Sequence, residues 1–334
     1  MTAPTTLTAA PALPTARGEV SAAVLGRLTA PAPAPTGPLT VRLPDDPYGD
    51  DLHLALYVLY ELHYRGFDGV DERLEWDPEL LRLRAALEER FLTALRDEIP
   101  QGGGAQQELA GLLAAPQDGK GSVSHHLLRK GELWQLRENA ALRSLYHLKE
   151  ADPHLWVVPR LRGRAKAGMV AVEYDEFGAG RAEEIHARLY ADLLDDLGLS
   201  SAYGAHLDAA PAEMLAIVTM MSLFGLHRAH RGALVGHFAA VEVTSSPASA
   251  RMADALRRCG AGRAAQRFYD EHVEADAVHE QLVRHEVVAG LLTDEPHLED
   301  DIVFGIRATG LLEDRLTALL LGSWENGRSV LRSP

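Results

Sequence analysis

Apolar positions recur at helical spacing along almost the whole chain. Leu52, Ala55, Leu56, Leu59, Tyr60 and His63 follow the i, i+3/i+4 rule and predict a helix ending near Gly66. Leu80, Leu83, Leu87, Phe91 and Leu95 repeat the pattern over 78–98, and Gln101-Gly102-Gly103-Gly104 breaks it before a short helix over 105–115. Leu127, Leu128, Trp134, Leu136, Leu142, Leu145 and Leu148 predict one long helix from Ser122 to about Glu150. Asp152-Pro153 ends it, because proline disfavours helical backbone in the residue before it. Further helices are expected over 166–176, 181–197, 211–231 and 233–243, with a kink around Gly232 and a turn at Thr244-Ser245-Ser246-Pro247. Segments 248–259, 264–292 and 299–322 complete the set. Period-two alternation is almost absent, so the expectation is an all-α domain of roughly ten helices.

The first 45 residues read differently. They are dominated by Ala, Pro and Thr, and Ala30-Pro31-Ala32-Pro33-Ala34-Pro35 lacks backbone donors at every second position. Residues 1–45 are therefore expected to be a disordered or loosely attached arm, and 46–334 the folded domain.

Composition narrows the class. The formal net charge of −15 opposes non-specific nucleic-acid binding and attachment to an anionic membrane surface. The single cysteine, Cys259, excludes an intrachain disulfide framework and any cysteine-rich metal site, and fits a reducing cytoplasm. No stretch approaches the ~20 apolar residues of a membrane span.

The candidate chemistry centres on His272-Val273-Glu274-Ala275-Asp276-Ala277-Val278-His279. His272, Asp276 and His279 stand at i, i+4 and i+7, which puts them on one helix face. Nitrogen and oxygen donors without thiolate suit iron, manganese or zinc. A solvated face is the alternative, since Glu271, Glu274 and Glu280 are also charged. Partner donors must come from other helices. Glu242 lies on a small, apolar helix where an unpaired carboxylate is costly. Glu150 ends the long helix, where the helix dipole disfavours it. His186 is followed by Leu189, Tyr190 and Leu193 and so faces inward, and Glu176 lies in an acidic cluster beside Gly178 and Gly180.

These residues resemble the haem-oxygenase-like diiron oxidases, also called iron-containing redox enzymes, over about 50–325. The resemblance rests on Tyr60-Glu61-Leu62-His63-Tyr64-Arg65-Gly66-Phe67, Glu150-Ala151-Asp152-Pro153-His154, Pro159-Arg160-Leu161-Arg162-Gly163 and Asp175-Glu176-Phe177-Gly178. Its most specific element is Tyr269-Asp270-Glu271-His272-Val273-Glu274-Ala275-Asp276-Ala277-Val278-His279-Glu280. It implies an all-α, haem-oxygenase-like helical bundle whose core helices carry a diiron site. The ligands implied are Glu150, His186, Glu242, His272, Asp276 and His279, with Glu176 as a further carboxylate. An alternative pairing, Glu183 with His186 and Asp276 with His279, follows the spacing of ferritin-like bundles and would replace Glu176 by Glu183. It leaves His272 without a role.

The resemblance further implies two Fe ions cycling between Fe(II) and Fe(III), O2 as co-substrate, a small-molecule substrate, an external electron donor and a homodimer. The intervals of 36 residues from Glu150 to His186 and 30 from Glu242 to His272 look like those of members that N-oxygenate amines. The expected function is thus a non-haem diiron oxygenase that N-oxygenates a primary amine or amino-acid-derived substrate, in natural product biosynthesis. The alternative is a diiron oxidase for desaturation or C–C cleavage of an amino or fatty acid. Candidate lining residues are Tyr146, His147, Met220, Phe224, Tyr269 and Arg307. A thiaminase-like hydrolase would need Cys259 as nucleophile, and a haem-degrading oxygenase would not need several inward acids.

Overall fold

The computed structural model describes residues 10–31, 37–115 and 118–332; the side chains of residues 276 and 277 are outside the described set. Among the described residues the chain is all helix and turn, without strands. The helices are α1 (Glu19–Leu28), α2 (Asp50–Glu61), α3 (Pro78–Glu98), α4 (Ala105–Ala114), α5 (Val123–Lys130), α6 (Leu133–His147) and α7 (Asp152–Leu155). They continue with α8 (Gly163–Glu176), α9 (His186–Asp196), α10 (Ala212–Leu226), α11 (Arg231–Arg258), α12 (Arg263–Leu282), α13 (Ala289–Asp294) and α14 (Glu299–Trp324). The result is a haem-oxygenase-like bundle.

Five segments depart from the sequence expectation. The amino-terminal segment is not a loose arm over its described part. Helix α1 packs on α2 with Val20, Val24 and Leu28 buried, and Arg27 reaches Asp77 at 2.6 Å in a buried ion pair. The Ala/Pro composition hid three apolar residues at i, i+4 and i+8, which form a helical stripe. Most of the Ala-Pro run, residues 32–35, lies outside the described residues.

The expected long helix 122–150 is two helices, broken at Gly131-Glu132. A Cβ on Gly131 would meet the Leu127 backbone at 2.6 Å, and Arg258 donates to the Leu127 and Gly131 carbonyls that the break exposes. Helix α9 begins at His186, not 181, because short turns with Ala179 at φ 51° occupy 178–184. Conversely, the turn expected at Pro247 is absent, and α11 runs through it. An interior proline costs about 3 kcal/mol. Burial of α11 between α12 and α14 offsets that cost, and Ser246 Oγ donates to the Val273 carbonyl of α12. The expected helix 264–292 contains a π-helical turn, Val283–Val288, which packs against α8. Such turns often accompany functional sites.

Helix α11 is the hub. It packs most extensively on α12 and α14, and α12 packs on α9. The approach of α11 to α14 depends on two glycines. A Cβ on Gly236 would lie 2.0 Å from the Ile302 carbonyl oxygen, and one on Gly305 would lie 2.0 Å from that of Ala233. Backbone cannot retreat as a side chain can, so Gly236→Ala should push the helices apart and cost about 1–3 kcal/mol or more. Denaturant unfolding will measure this; unchanged stability would mean that the contact does not set the spacing.

Candidate metal centre

Glu150 sits in the turn after α6. Ala151 follows it at φ 74°, a left-handed backbone that costs a non-glycine residue roughly 1–2 kcal/mol. That turn is pinned from behind. Lys149 Nζ lies 2.8 Å from Glu61 Oε2, with both side chains almost wholly buried. Tyr203 Oη donates to Glu61 at 2.8 Å, and the Lys149 ammonium lies over the Tyr57 and Tyr64 rings. Lys149 therefore faces away from the site, while its neighbour Glu150 faces in. His147 Nδ1 lies 2.7 Å from Glu150 Oε1, leaving Oε2 buried with no hydrogen-bond partner among the described residues.

Two donor groups converge. Glu150, Glu176, His186 and His272 each offer an atom within 4.8 Å of the others, and so do Glu176, Glu242 and His279. All six residues are buried. Glu176, the last residue of α8, belongs to both groups. Its Oε2 lies 2.6 Å from His186 Nδ1, and its Oε1 lies 3.6 Å from His279 Nδ1. His272 Nδ1 lies 2.7 Å from the Phe268 carbonyl, which can only accept. Nδ1 therefore donates to that carbonyl, and Nε2, the other ring nitrogen, faces Glu150 Oε1 at 3.8 Å. His279 Nδ1 lies 3.2 Å from Glu242 Oε2, and its Nε2 lies 3.2 Å from Asp175 Oδ2. An aromatic wall backs the first group, with the His272 ring 4.3 Å from Phe268 and 4.4 Å from His186.

Electrostatics reflect this crowding. Burial alone would raise the Glu150 carboxyl, but His147 and then His272 outweigh it and hold the group below the usual range. Burial would lower His186, and Glu176 reverses this and raises it. Burial would likewise lower His279, yet Glu242, Glu176 and Asp175 hold it raised to about 9.

Six of the seven residues expected as ligands thus come together; the side chain of Asp276 lies outside the described residues. Glu183 is exposed on the turn before α9 and joins neither group, so the geometry favours Glu176 over it. Of the expected lining residues, Tyr146 stands against His147 and His154, with burial and then the charges of Glu150, Glu176, Glu173 and Glu242 raising its hydroxyl well above its ordinary value, and His147 orients Glu150. Tyr269 stands against Phe268. Arg307 does not line the site, because it donates to the Pro100 carbonyl and Glu108. Phe224 packs on His230 and Phe304, and Met220 is buried in α10. Cys259 closes the end of α11, 3.6 Å from the Gly131 carbonyl, and no thiol joins the described donor groups. The sequence pattern alone singles out neither Glu173 nor the Lys149–Glu61 pair. Glu173 was detectable at i, i+3 from Glu176; nothing local marked Glu61 and Lys149 as partners.

The donor set is three carboxylates and three imidazoles, buried and partly unsatisfied, which fits iron. An all-α bundle with carboxylate and imidazole donors gathered between its helices is the class of protein defined so far. The chain belongs to the iron-containing redox enzyme family, which matches residues 137–314, just over half its length. Among solved structures, it resembles a CADD-like protein of unknown function from Nostoc punctiforme. That likeness has 16% identity and a TM-score of 0.52, over 65% of this chain and 96% of the other. It supports the fold. No curated protein matches the chain.

Two predictions follow from the electrostatics. Removing one partner of a fully buried pair leaves the other charge stranded, so Lys149→Met should cost roughly 3–5 kcal/mol, and Lys149→Met with Glu61→Leu should recover much of it. Equal unfolding midpoints for the single and double variants would contradict this. Secondly, His279 is raised in the folded protein, so its stabilisation of the metal-free protein is full below its ordinary 6.5 and fades as pH rises through about 9. The stability difference between the native protein and His279→Gln should therefore shrink across that interval. A difference that stays flat or grows would contradict the assignment.

Proposed function

We propose that this protein is a non-haem diiron oxygenase that uses O2 to N-oxygenate a primary amine or amino-acid-derived substrate. The observation that carries the two-metal reading is Glu176, whose two oxygens address two different donor groups. Glu150, His186 and His272 would hold one iron, and Glu242 and His279, with Asp276 from the same helix face, the other. Glu176 would span them.

The irons would supply the electrons and the open coordination positions that O2 activation needs. The chain's own residues supply the rest. The Phe268 carbonyl engages His272 Nδ1, so that Nε2 would be the donor to metal. His147 holds Glu150 Oε1 and leaves Oε2 available. Phe268 and Tyr190, whose rings lie 4.7 Å apart, keep water from one side of the site. Amine N-oxygenation rather than other oxidation is supported by the ligand intervals in the sequence. In this reading the substrate is a small molecule, electrons come from an external donor, and the protein acts as a homodimer in the cytoplasm, within specialised metabolism.

Anaerobic reconstitution with Fe(II) should give two irons per chain, and Glu176→Ala should lower both occupancies. A native stoichiometry at or below one would sink the diiron reading. Mass spectrometry after reaction of the loaded protein with 18O2 and a panel of primary amines and amino acids should show label on nitrogen. An alkene or a shortened product without label would instead point to desaturation or C–C cleavage of an amino or fatty acid.

A further inference from the structure

Glu173 is the acid at this site for which the metal reading has no use. It lies one turn before Glu176 on the same face of α8 and is 2% exposed. Neither of its carboxylate oxygens has a hydrogen-bond partner among the described residues, and it belongs to neither donor group. Burial, then Glu176, Glu242, Asp152 and Glu150, push its carboxyl well above the usual range.

The charges around it can be paired off. Glu61 is matched by Lys149, and Asp152, raised by burial, is countered by Arg65 and Lys149. Two divalent irons would offset Glu150, Glu176, Glu242 and Asp276. Glu173 remains. A dry carboxyl with nothing to accept from or donate to is costly in either protonation state. An unsatisfied buried group in a native structure calls for an explanation, and a ligand brought to the site supplies one.

We propose that Glu173 is the substrate-recognition residue of the site, receiving the ammonium or amino group of a cationic small molecule beside the metal donors. An ionised Glu173 accepts from an ammonium, and a protonated one donates to a neutral amine, so an amino group satisfies both states. A carboxylate or phosphate at this position would add to an uncompensated negative charge. The cationic end of the substrate is thereby assigned to the α8 side of the site, one turn from Glu176. This inference rests on the amine reading of the function and extends it to a residue.

The test uses Fe(II)-loaded protein under anaerobic conditions, native and Glu173→Gln. Glutamine keeps the shape and removes the charge. Both proteins are titrated calorimetrically with n-butylamine, benzylamine, L-lysine and L-arginine, and with 1-butanol and benzyl alcohol as uncharged counterparts. The expected result is unchanged iron content, binding of at least one amine by the native protein in preference to its alcohol, and a loss of roughly 10- to 100-fold in that affinity in Glu173→Gln. Three results would each overturn the proposal. One is an iron content that falls in the variant, which would make Glu173 a metal ligand. Another is amine affinity equal in the two proteins. The third is no amine bound by the native protein. None of these touches the iron count or the 18O label of native protein on which the function reading stands. Conversely, a native protein that holds at most one iron yet loses amine affinity in Glu173→Gln would retire the diiron reading and keep this one.

Discussion

The structure turns on the cost of gathering carboxylates in a dry interior. Glu150, Glu173, Glu176 and Glu242 are all buried within one region, and each unpaired charge there would cost several kcal/mol. Imidazoles from three helices stand against three of these acids, and the raised His186 and His279 show how strongly that neighbourhood favours positive charge. A chain that keeps so many acids together forgoes stability it would have with apolar residues. The cluster is best understood as a place made for cations.

The surrounding fold can be read as the means of holding those acids still. Glu150 is presented by a turn with a left-handed alanine, and the turn is held by a buried lysine whose charge is absorbed by Glu61 and by two tyrosine rings. Glu176 ends α8, and the glycine-rich turns after it deliver His186 at the start of α9, within 2.6 Å of the same carboxylate. Glu242 is carried by α11, whose place is set on one side by glycine-to-backbone contact with α14 and on the other by α12. The irregular features fall where donors are aimed, and the regular helices supply rigidity between them.

Membership of the iron-containing redox enzyme family and the donor chemistry agree on iron and on oxidoreduction. The bundle alone would not have established this, because one fold hosts unrelated activities and function resides in the site. In the proposed reading, the acid left over after metal and lysine are accounted for would bear on the substrate rather than on the metal.

The helical class, most helix positions and six candidate donors that the fold brings together were legible in the sequence, because helical periodicity and the spacing of His272 and His279 are local properties of the chain. Helix α3 was readable to the residue, since Asp77-Pro78 marks its start and an unbroken apolar stripe follows. Other features belonged to the tertiary structure. Pro247 reads as a turn until the packing of α11 between α12 and α14 outweighs it. The stretch from Glu19 to Leu28 reads as loose until α2 offers a surface for Val20, Val24 and Leu28. The choice between Glu176 and Glu183 could not be made from spacing, because both precede His186 at distances that a helix or a turn can bridge. The turns at 178–184 face Glu183 to solvent and leave Glu176 against His186, which favours Glu176. The pairing of Glu61 with Lys149, 88 residues away, was likewise decided only by the fold. Periodicity reports which face of a helix is apolar; which charges meet across two faces depends on how the helices pack.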